Sequence, residues 1–431
     1  MRQEKSRFIA SVAVSLIVAA LVVAPGAWAA STFKILHVFR RFSGGHNAMG
    51  TLVSDAAGNL YGTTFNGGFV YSGCGTASEG CGVVFKLAPN PDGTWTEHVL
   101  HTFTGCAAPC TDGGFPVAGV ILDAAGNLYG TTAFGGSDGW GTVFELMPNP
   151  DGTWTEHVLH TFMGGTDGAV PFAGVILDAA GNLYGTTYSG GSSTCMNDWG
   201  PGCGVVFKLT HKSDGTWTEH VLHRFSKSVL CCGKDGQSPF AGVILDAAGN
   251  LHGTTFAGGS SDAGVVFKLA PNPDGTWTEH VLYSFGGGAL PSAGVIFDAA
   301  GSLYGTTTYG GLSNVGVVFK LTHKSDGTWT EHVLYSFTGG GDGAFPWAGV
   351  ILDATGNLYG TTYYGGSSSC GCGVVFKLAP NSDGTWTEHV LHAFLGYGAN
   401  PFAGLLRGAS GNLYGTASGG TSGGLVFEIK P

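Results

Sequence analysis

Charge is scarce in this chain. Asp, Glu, Lys and Arg make up 11% of its 431 residues, and the balance is acidic, with 18 Lys+Arg against 29 Asp+Glu. A surface of that sign repels a phosphate backbone, which excludes nucleic acid as a partner. Long apolar runs are equally rare. The run from Phe8 to Ala24 follows Arg2, Lys5 and Arg7 and precedes Ala27-Trp28-Ala29. Basic, apolar and small-x-small in that order is the layout of a secretory signal peptide. An uncleaved anchor is the alternative, but the run lacks the flanking stop-transfer pattern, and no lipid-attachment Cys follows. Residues 1–29 are therefore expected to be removed. Residues 30–431 would then act in a secreted or periplasmic setting with no stable membrane span. They would carry 15 Lys+Arg against 28 Asp+Glu, a net charge of −13. Also missing are paired carboxylates, a nucleophile elbow and a triad, so no recognisable catalytic set stands out.

Glycine, by contrast, is abundant, at 77 residues, and it is periodic. The phrase Gly-Asn-Leu-Tyr-Gly-Thr-Thr recurs seven times with small changes, its Tyr position falling at Tyr61, Tyr129, Tyr184, His252, Tyr304, Tyr359 and Tyr414. A unit repeated at this period cannot bury its apolar face alone, so the copies must stack or close into a ring. Repeats start near residues 49, 118, 173, 241, 293, 348 and 403.

One unit, 173–225, reads as four strands. Ala173 to Asp178 is a short apolar inner strand, and Ala179-Ala-Gly-Asn182 is a turn. Leu183 to Thr187, Gly204 to Leu209 and Thr216 to Phe225 follow, the last two joined by an Asp214-Gly215 hairpin. Seven such units predict an all-β, seven-bladed β-propeller with four-stranded blades. The last repeat lacks its fourth strand, and Phe33 to Phe39 matches the missing sequence. The N-terminal strand is therefore expected to close the last blade and leave no open ring edge.

This connectivity sorts two faces. The Asp-Ala-Ala-Gly-Asn and Asn-Pro-Asp-Gly-Thr turns share a uniform face. Loops of variable length, with all ten Cys, share the opposite one. Variable loops on a rigid scaffold are where binding usually resides. In an exported chain, disulfides are expected for Cys74 with Cys81, Cys106 with Cys110 and Cys195 with Cys203. Vicinal Cys231 and Cys232, and Cys370 with Cys372, look too close to pair with each other and are expected to pair elsewhere. Cys-x-Cys at 370–372 lacks partner ligands at zinc-site spacing.

The repeats reading Asp-Ala-Ala-Gly-Asn-Leu-Tyr-Gly-Thr-Thr, then Gly-Gly, then Gly-Val-Val-Phe-Lys-Leu, resemble the GloVer tandem-repeat family of exported bacterial proteins across residues 31–431. They are more distantly similar to NHL-type repeats. The resemblance implies export, often with a C-terminal surface-sorting segment, and no activity. This chain departs from that pattern, ending at Glu428-Ile-Lys-Pro431 with no apolar sorting tail, and whether it is surface-attached stays open at this point.

Candidate chemistry divides by position. Glu97-His98-Val-Leu-His101 and its copies superficially resemble a zincin motif, but in a strand residues three apart point to opposite faces, so packing is expected. Trp95, Trp154, Trp217, Trp277, Trp329 and Trp386 follow the Asp-Gly turns and are expected to cover blade flanks rather than serve as sugar platforms. The Asp-Gly turns themselves lack the ligand pattern of a calcium loop.

On the variable face, Asp112, Asp167, Asp235 and Asp342 precede the inner strands; they would rim the channel mouth and hold calcium, or else cap turns. Phe65, Phe134, Tyr188, Phe256, Tyr309 and Tyr363 begin the variable loops and would offer a ring of aromatics to a glycan or peptide, or pack beneath the loops. His252, Arg407 and His46 break the repeat and read as drift.

The reading that follows is an exported monomer binding an extracellular glycan or protein through its variable face. A metal-assisted polysaccharide hydrolase or lyase at the channel mouth is the alternative. A structural surface protein without a ligand site is a third reading.

Overall fold

The computed structural model describes residues 31–40, 44–68, 80–105, 112–191, 195–226, 235–366, 370–396, 399–419 and 423–431. The expected signal peptide lies outside them. Seven four-stranded antiparallel sheets form the blades of a β-propeller. Blade 3 is representative, with strands Ile176–Leu177, Leu183–Thr187, Val205–His211 and Trp217–Arg224 in that order from the axis outward. In blade 7 the outer strand is Thr32–Val38, paired antiparallel with Leu425–Lys430. The ring is thus closed by hydrogen bonds between the two ends of the fold, as the sequence predicted.

The repeated residues are explained by what each touches. The Asp that opens the first turn accepts two backbone N–H bonds and the side chains of Asn and Tyr. Asp55, for example, takes N–H bonds from Ala57 and Asn59, the Asn59 amide at 2.6 Å and the Tyr61 hydroxyl at 3.0 Å. The middle Gly of Leu-Tyr-Gly-Thr-Thr makes room for an aromatic ring. A Cβ on Gly62 would lie 2.7 Å from Cζ of Phe85 in the neighbouring strand, and the same notch recurs in every blade. The Phe it admits is fully buried and meets a second Phe from the preceding blade. Phe39–Phe85, Phe103–Phe144, Phe162–Phe207, Phe225–Phe267, Phe285–Phe319, Phe337–Phe376 and Phe394–Phe427 are edge-to-face pairs at 5.0 to 5.4 Å. Each contributes about 1 kcal/mol beyond its buried area.

The first Thr of the phrase links neighbours nearer the axis. Its hydroxyl donates to an inner-strand carbonyl of the next blade, from Thr63 to Ala118 at 2.7 Å round to Thr416 and Gly50 at 3.2 Å. On the variable face a third link recurs. Asn47, Phe115, Val170, Ser238, Leu290, Phe345 and Asn400 all adopt left-handed backbone, with φ between 49° and 63°. A non-glycine residue reaches that region only under outside constraint. The constraint is a clasp: the Phe115 N–H donates to the Cys81 carbonyl of blade 1, and the Phe115 carbonyl accepts the Ala133 N–H of blade 2.

His252, which replaces the repeated Tyr, is 4% exposed and places Nε2 3.1 Å from Asp246. Burial lowers its pKa and outweighs the opposing Asp246. The unfolded chain therefore protonates first as pH falls. The neutral ring's contribution is fully present above about pH 6.5 and is lost below it.

Two outcomes are expected. Gly305→Ala drives a Cβ to 2.7 Å from the Phe319 ring and should cost about 1–3 kcal/mol in urea denaturation, whereas Gly286→Ala, with open space around it, should be neutral. His252→Tyr should flatten the acid limb of the stability curve, so that urea denaturation finds the variant gaining relative to the parent at pH 5 but not at pH 8.

Candidate functional site

The crossovers between blades bring aromatic side chains to the axis on the variable face. Here one position ahead of each inner strand varies: Val117, Phe172, Phe240, Ser292, Trp347 and Phe402 precede Ala-Gly, and Met49 precedes Gly50-Thr51 in blade 1. Phe240 meets Phe172 at 5.1 Å, Trp347 at 5.8 Å and Phe402 at 6.3 Å, and Trp347 stacks on Phe402 at 5.5 Å. Blades 3, 4, 6 and 7 thus join rings across one end of the axial channel. Below them lies a space of about 320 Å³ lined largely by Gly, Ala and Val.

Beside this cluster, Tyr309, Phe345, Trp347, Tyr363, Tyr364 and Phe402 alone line a cleft of about 260 Å³. Phe345 is one of the left-handed clasp residues, so the backbone constraint that joins blades also aims a ring into the cleft. Tyr364 is 48% exposed at its edge.

Of the aromatics named from sequence, Tyr309 and Tyr363 line this cleft. Tyr188 packs on Phe172 and Phe240, and Phe134 on Phe115 and Trp199. Phe65 packs on Phe115, and Phe256 is half-buried. Burial raises the hydroxyl pKa of Tyr188 and Tyr363. Sequence reasoning missed Phe345, Trp347, Tyr364 and Phe402. For Trp347 and Phe402 the signal was available as the variable position ahead of the Ala-Gly that six of the seven repeats share.

The four Asp do not rim the channel. Each crossover leaves the outer strand before turning inward, so its Asp stays at the periphery. Asp112 accepts from the Thr104 hydroxyl at 2.5 Å and the Thr104 N–H at 3.1 Å. It also faces His101 of the blade 1 outer strand at 3.5 Å. Glu156, from the outer strand of blade 2, reaches to 3.8 Å of the same His101 nitrogen. His223, Asp235 and Glu279 repeat the arrangement between blades 3 and 4. His160 and Asp167 approach at 3.6 Å between blades 2 and 3, where the charge of Arg224 acts on the neighbouring Glu219. Asp342 instead accepts from Thr338 and Tyr335.

Burial opposes ionisation at Asp112, but the adjacent His101 and hydrogen bonds from Thr104 prevail and hold its carboxyl below the usual range. Burial pushes Glu156 up to about 7 and Glu279 up to about 8, reinforced by the neighbouring Asp. These are the described groups that could hold a metal ion.

The two His of each Glu-His-Val-Leu-His strand are not on opposite faces. A bulge in the outer strand pairs Val99 with Phe85 but His101 with Val84, so His98 and His101 share a face. They still diverge in environment: His98 is exposed, while His101 turns to Asp112.

The six Trp are half-buried and pack against blade cores, as with Trp154 on Tyr61. Open grooves beside them, of about 990 Å³ at Trp217 and 670 Å³ at Trp277, follow from blades splaying outward and repeat around the ring. Arg407 is exposed, and His46 is buried in the crossover into blade 1.

Cys195 and Cys203 form a disulfide. Cys370 and Cys372 bond to each other, contrary to the expectation from their spacing, because left-handed Gly371 turns the chain and leaves their Cα atoms 5.2 Å apart. Cys81 is disulfide-bonded. Cys74, Cys106, Cys110, Cys231 and Cys232 lie outside the described residues. Disulfides suit an oxidising compartment, and among the described residues no helix is long and apolar enough to cross a membrane.

Comparison with known proteins bears on the family. Among solved structures, a protein from Lactobacillus plantarum is similar at 16% identity and a TM-score of 0.47, over 80% of this chain and 84% of that one. The calcium structure of Trichoderma reesei Carbohydrate-Active Enzymes Family AA12 is similar at 13% identity and 0.41, over 93% and 95%. No function transfers at these levels. No curated protein matches the chain. The Gloeobacter/Verrucomicrobia repeat matches residues 26–193, 74–296 and 282–431. The chain therefore belongs to the Gloeobacter/Verrucomicrobia repeat family.

Proposed function

We propose that this protein is a carbohydrate-binding propeller acting outside the cytoplasm, with its site in the aromatic cleft of the variable face. The observation that carries this reading is that, among the described residues, six aromatic rings and no other side chains line one cleft. Sugar rings present apolar C–H faces that stack on aromatic planes. The Tyr hydroxyls and Trp347 indole N–H can satisfy the sugar hydroxyls at the edges. A weakly charged site suits a neutral ligand.

The surrounding surface supports the same face. Trp199, Met163, Leu312, Tyr364 and Leu395, all in variable-face loops, are between 48% and 98% exposed. Exposed apolar groups gathered on one side of a rigid ring are a feature of interaction sites. At the channel mouth, where a metal-assisted hydrolase or lyase would need carboxylates, the described lining side chains are aromatic, aliphatic or hydroxylic, with no carboxylate among them.

A glycan array probed with purified protein, with and without calcium, tests the reading. Binding to one glycan class is expected in both conditions. Tyr364→Ala combined with Trp347→Ala should weaken it at least tenfold, about 1.4 kcal/mol, with unchanged circular dichroism. A blank array under both conditions would overturn the carbohydrate reading and leave a protein ligand for the same surface.

A further inference from the structure

Two side-chain clusters outside the aromatic cleft have the composition and spacing of a metal centre. In the first, His101 Nε2 lies 3.5 Å from Asp112 Oδ2 and 3.8 Å from Glu156 Oε1. A tetrahedral ion with bonds of 2.0–2.1 Å separates its ligands by roughly 3.3 Å, so these atoms need only small movements to share one ion. In the second, His223 Nε2 lies 3.3 Å from Asp235 Oδ2, with Glu279 completing the set. In each cluster the three donor atoms fall within 4.8 Å of one another.

An independent observation points to a ligand. His101 Nε2, Glu156 Oε1 and Glu279 Oε1 are shut away from solvent without a hydrogen-bond partner. A buried polar atom left unpaired costs about 1–3 kcal/mol; five repeated outer-strand Glu share this state (Glu97, Glu156, Glu219, Glu279 and Glu388), and only at Glu156 and Glu279 do a His and an Asp stand at metal-ligand spacing to accept a compensating ion. Asp112 is 8% exposed, and Thr104 orients its carboxylate with two hydrogen bonds, the outer support that metal-binding carboxylates commonly have.

We infer that His101–Asp112–Glu156 and His223–Asp235–Glu279 each bind one divalent cation of the zinc class. One imidazole nitrogen with two carboxylate oxygens favours such an ion over calcium, which prefers oxygen donors throughout. In both sites the His comes from the outer strand of one blade, the Glu from that of the next, and the Asp from the crossover between them. A bound ion therefore fastens blade 1 to blade 2, or blade 3 to blade 4, at the rim, where the Phe pairs and Thr links do not reach.

The test is titration of tag-free, chelator-treated protein with zinc chloride and, separately, calcium chloride, followed by metal analysis after desalting. Two zinc equivalents per chain are expected, with a rise in melting temperature. His101→Ala should leave one equivalent, and His101→Ala with His223→Ala none, with the ring's circular dichroism retained. Because a loss can also follow from local unfolding, Tyr335→His provides the converse. It places an imidazole beside Asp342 and Glu388 and should add a third equivalent. Calcium in place of zinc, no retained metal, or a zinc count unchanged across all three variants would overturn the inference.

Discussion

The contact on which this fold depends is a Phe ring seated in a glycine notch and capped by a Phe from the preceding blade. The notch fixes Gly62 and its six counterparts, since a single Cβ would collide with the ring. The cap sets the separation of neighbouring blades, because edge-to-face packing at 5.0 to 5.4 Å leaves little freedom. A blade alone would expose its Phe, so stability arises only in the closed ring. Phe39 shows why the N-terminal strand must join blade 7: it caps Phe85 of blade 1, and without it one notch of the ring stays uncovered.

That rigidity explains the strain of the variable face. Seven of the nine described non-glycine residues with left-handed backbone hold it because each is tied on one side to the preceding blade and on the other to its own. Three of the accepting carbonyls belong to Cys81, Cys203 and Cys372, all disulfide-bonded. The disulfides thus sit where one blade grips the next, and they restrain the loops that carry the clasps. Strained backbone persists only where its surroundings over-determine it, and here the surplus constraint comes from ring closure.

The architecture was legible because its determinants are local and repeated seven times. Turn residues, strand periodicity and the spare N-terminal strand all speak through short stretches of sequence. The site was legible only in part. Tyr309 and Tyr363 were visible as aromatics opening variable loops, but Trp347 and Phe402 converge from blades 6 and 7 onto Phe240 of blade 4, a contact across the ring that no local pattern announces. The Asp residues were found but misplaced, since the crossover departs from the rim before it reaches the axis. Their Glu partners lie one repeat away, as with Asp112 and Glu156. The bulge at Leu100 overturned the simple alternation used for His98 and His101. Gly371 permitted a Cys370–Cys372 bond that spacing argued against.

Repetition and function make opposing demands on such a chain. Every contact that builds the ring recurs in each blade, so a group that occurs seven times is explained by assembly. Recognition of one ligand needs asymmetry, and the described variable face provides it at a single repeat position. Phe172, Phe240, Trp347 and Phe402 carry rings there, while Met49, Val117 and Ser292 do not. The ring side chains meet across the axis rather than spreading evenly around it, and the cleft opens beside Trp347 and Phe402, toward Tyr309 on blade 5. The same reasoning separates the two kinds of polar cluster. His101 and His223 retain imidazole where blades 4 and 5 carry Tyr283 and Tyr335, whose hydroxyls bond Glu331 and Asp342. A Tyr hydroxyl bonds one carboxylate directly, whereas His101 beside two carboxylates leaves its Nε2 and Glu156 Oε1 unpaired, and His223 reaches Asp235 at 3.3 Å while Glu279 Oε1 stays unpaired. The convergence of three donor atoms within 4.8 Å is what sets His101–Asp112–Glu156 and His223–Asp235–Glu279 apart from the other described copies of the packing.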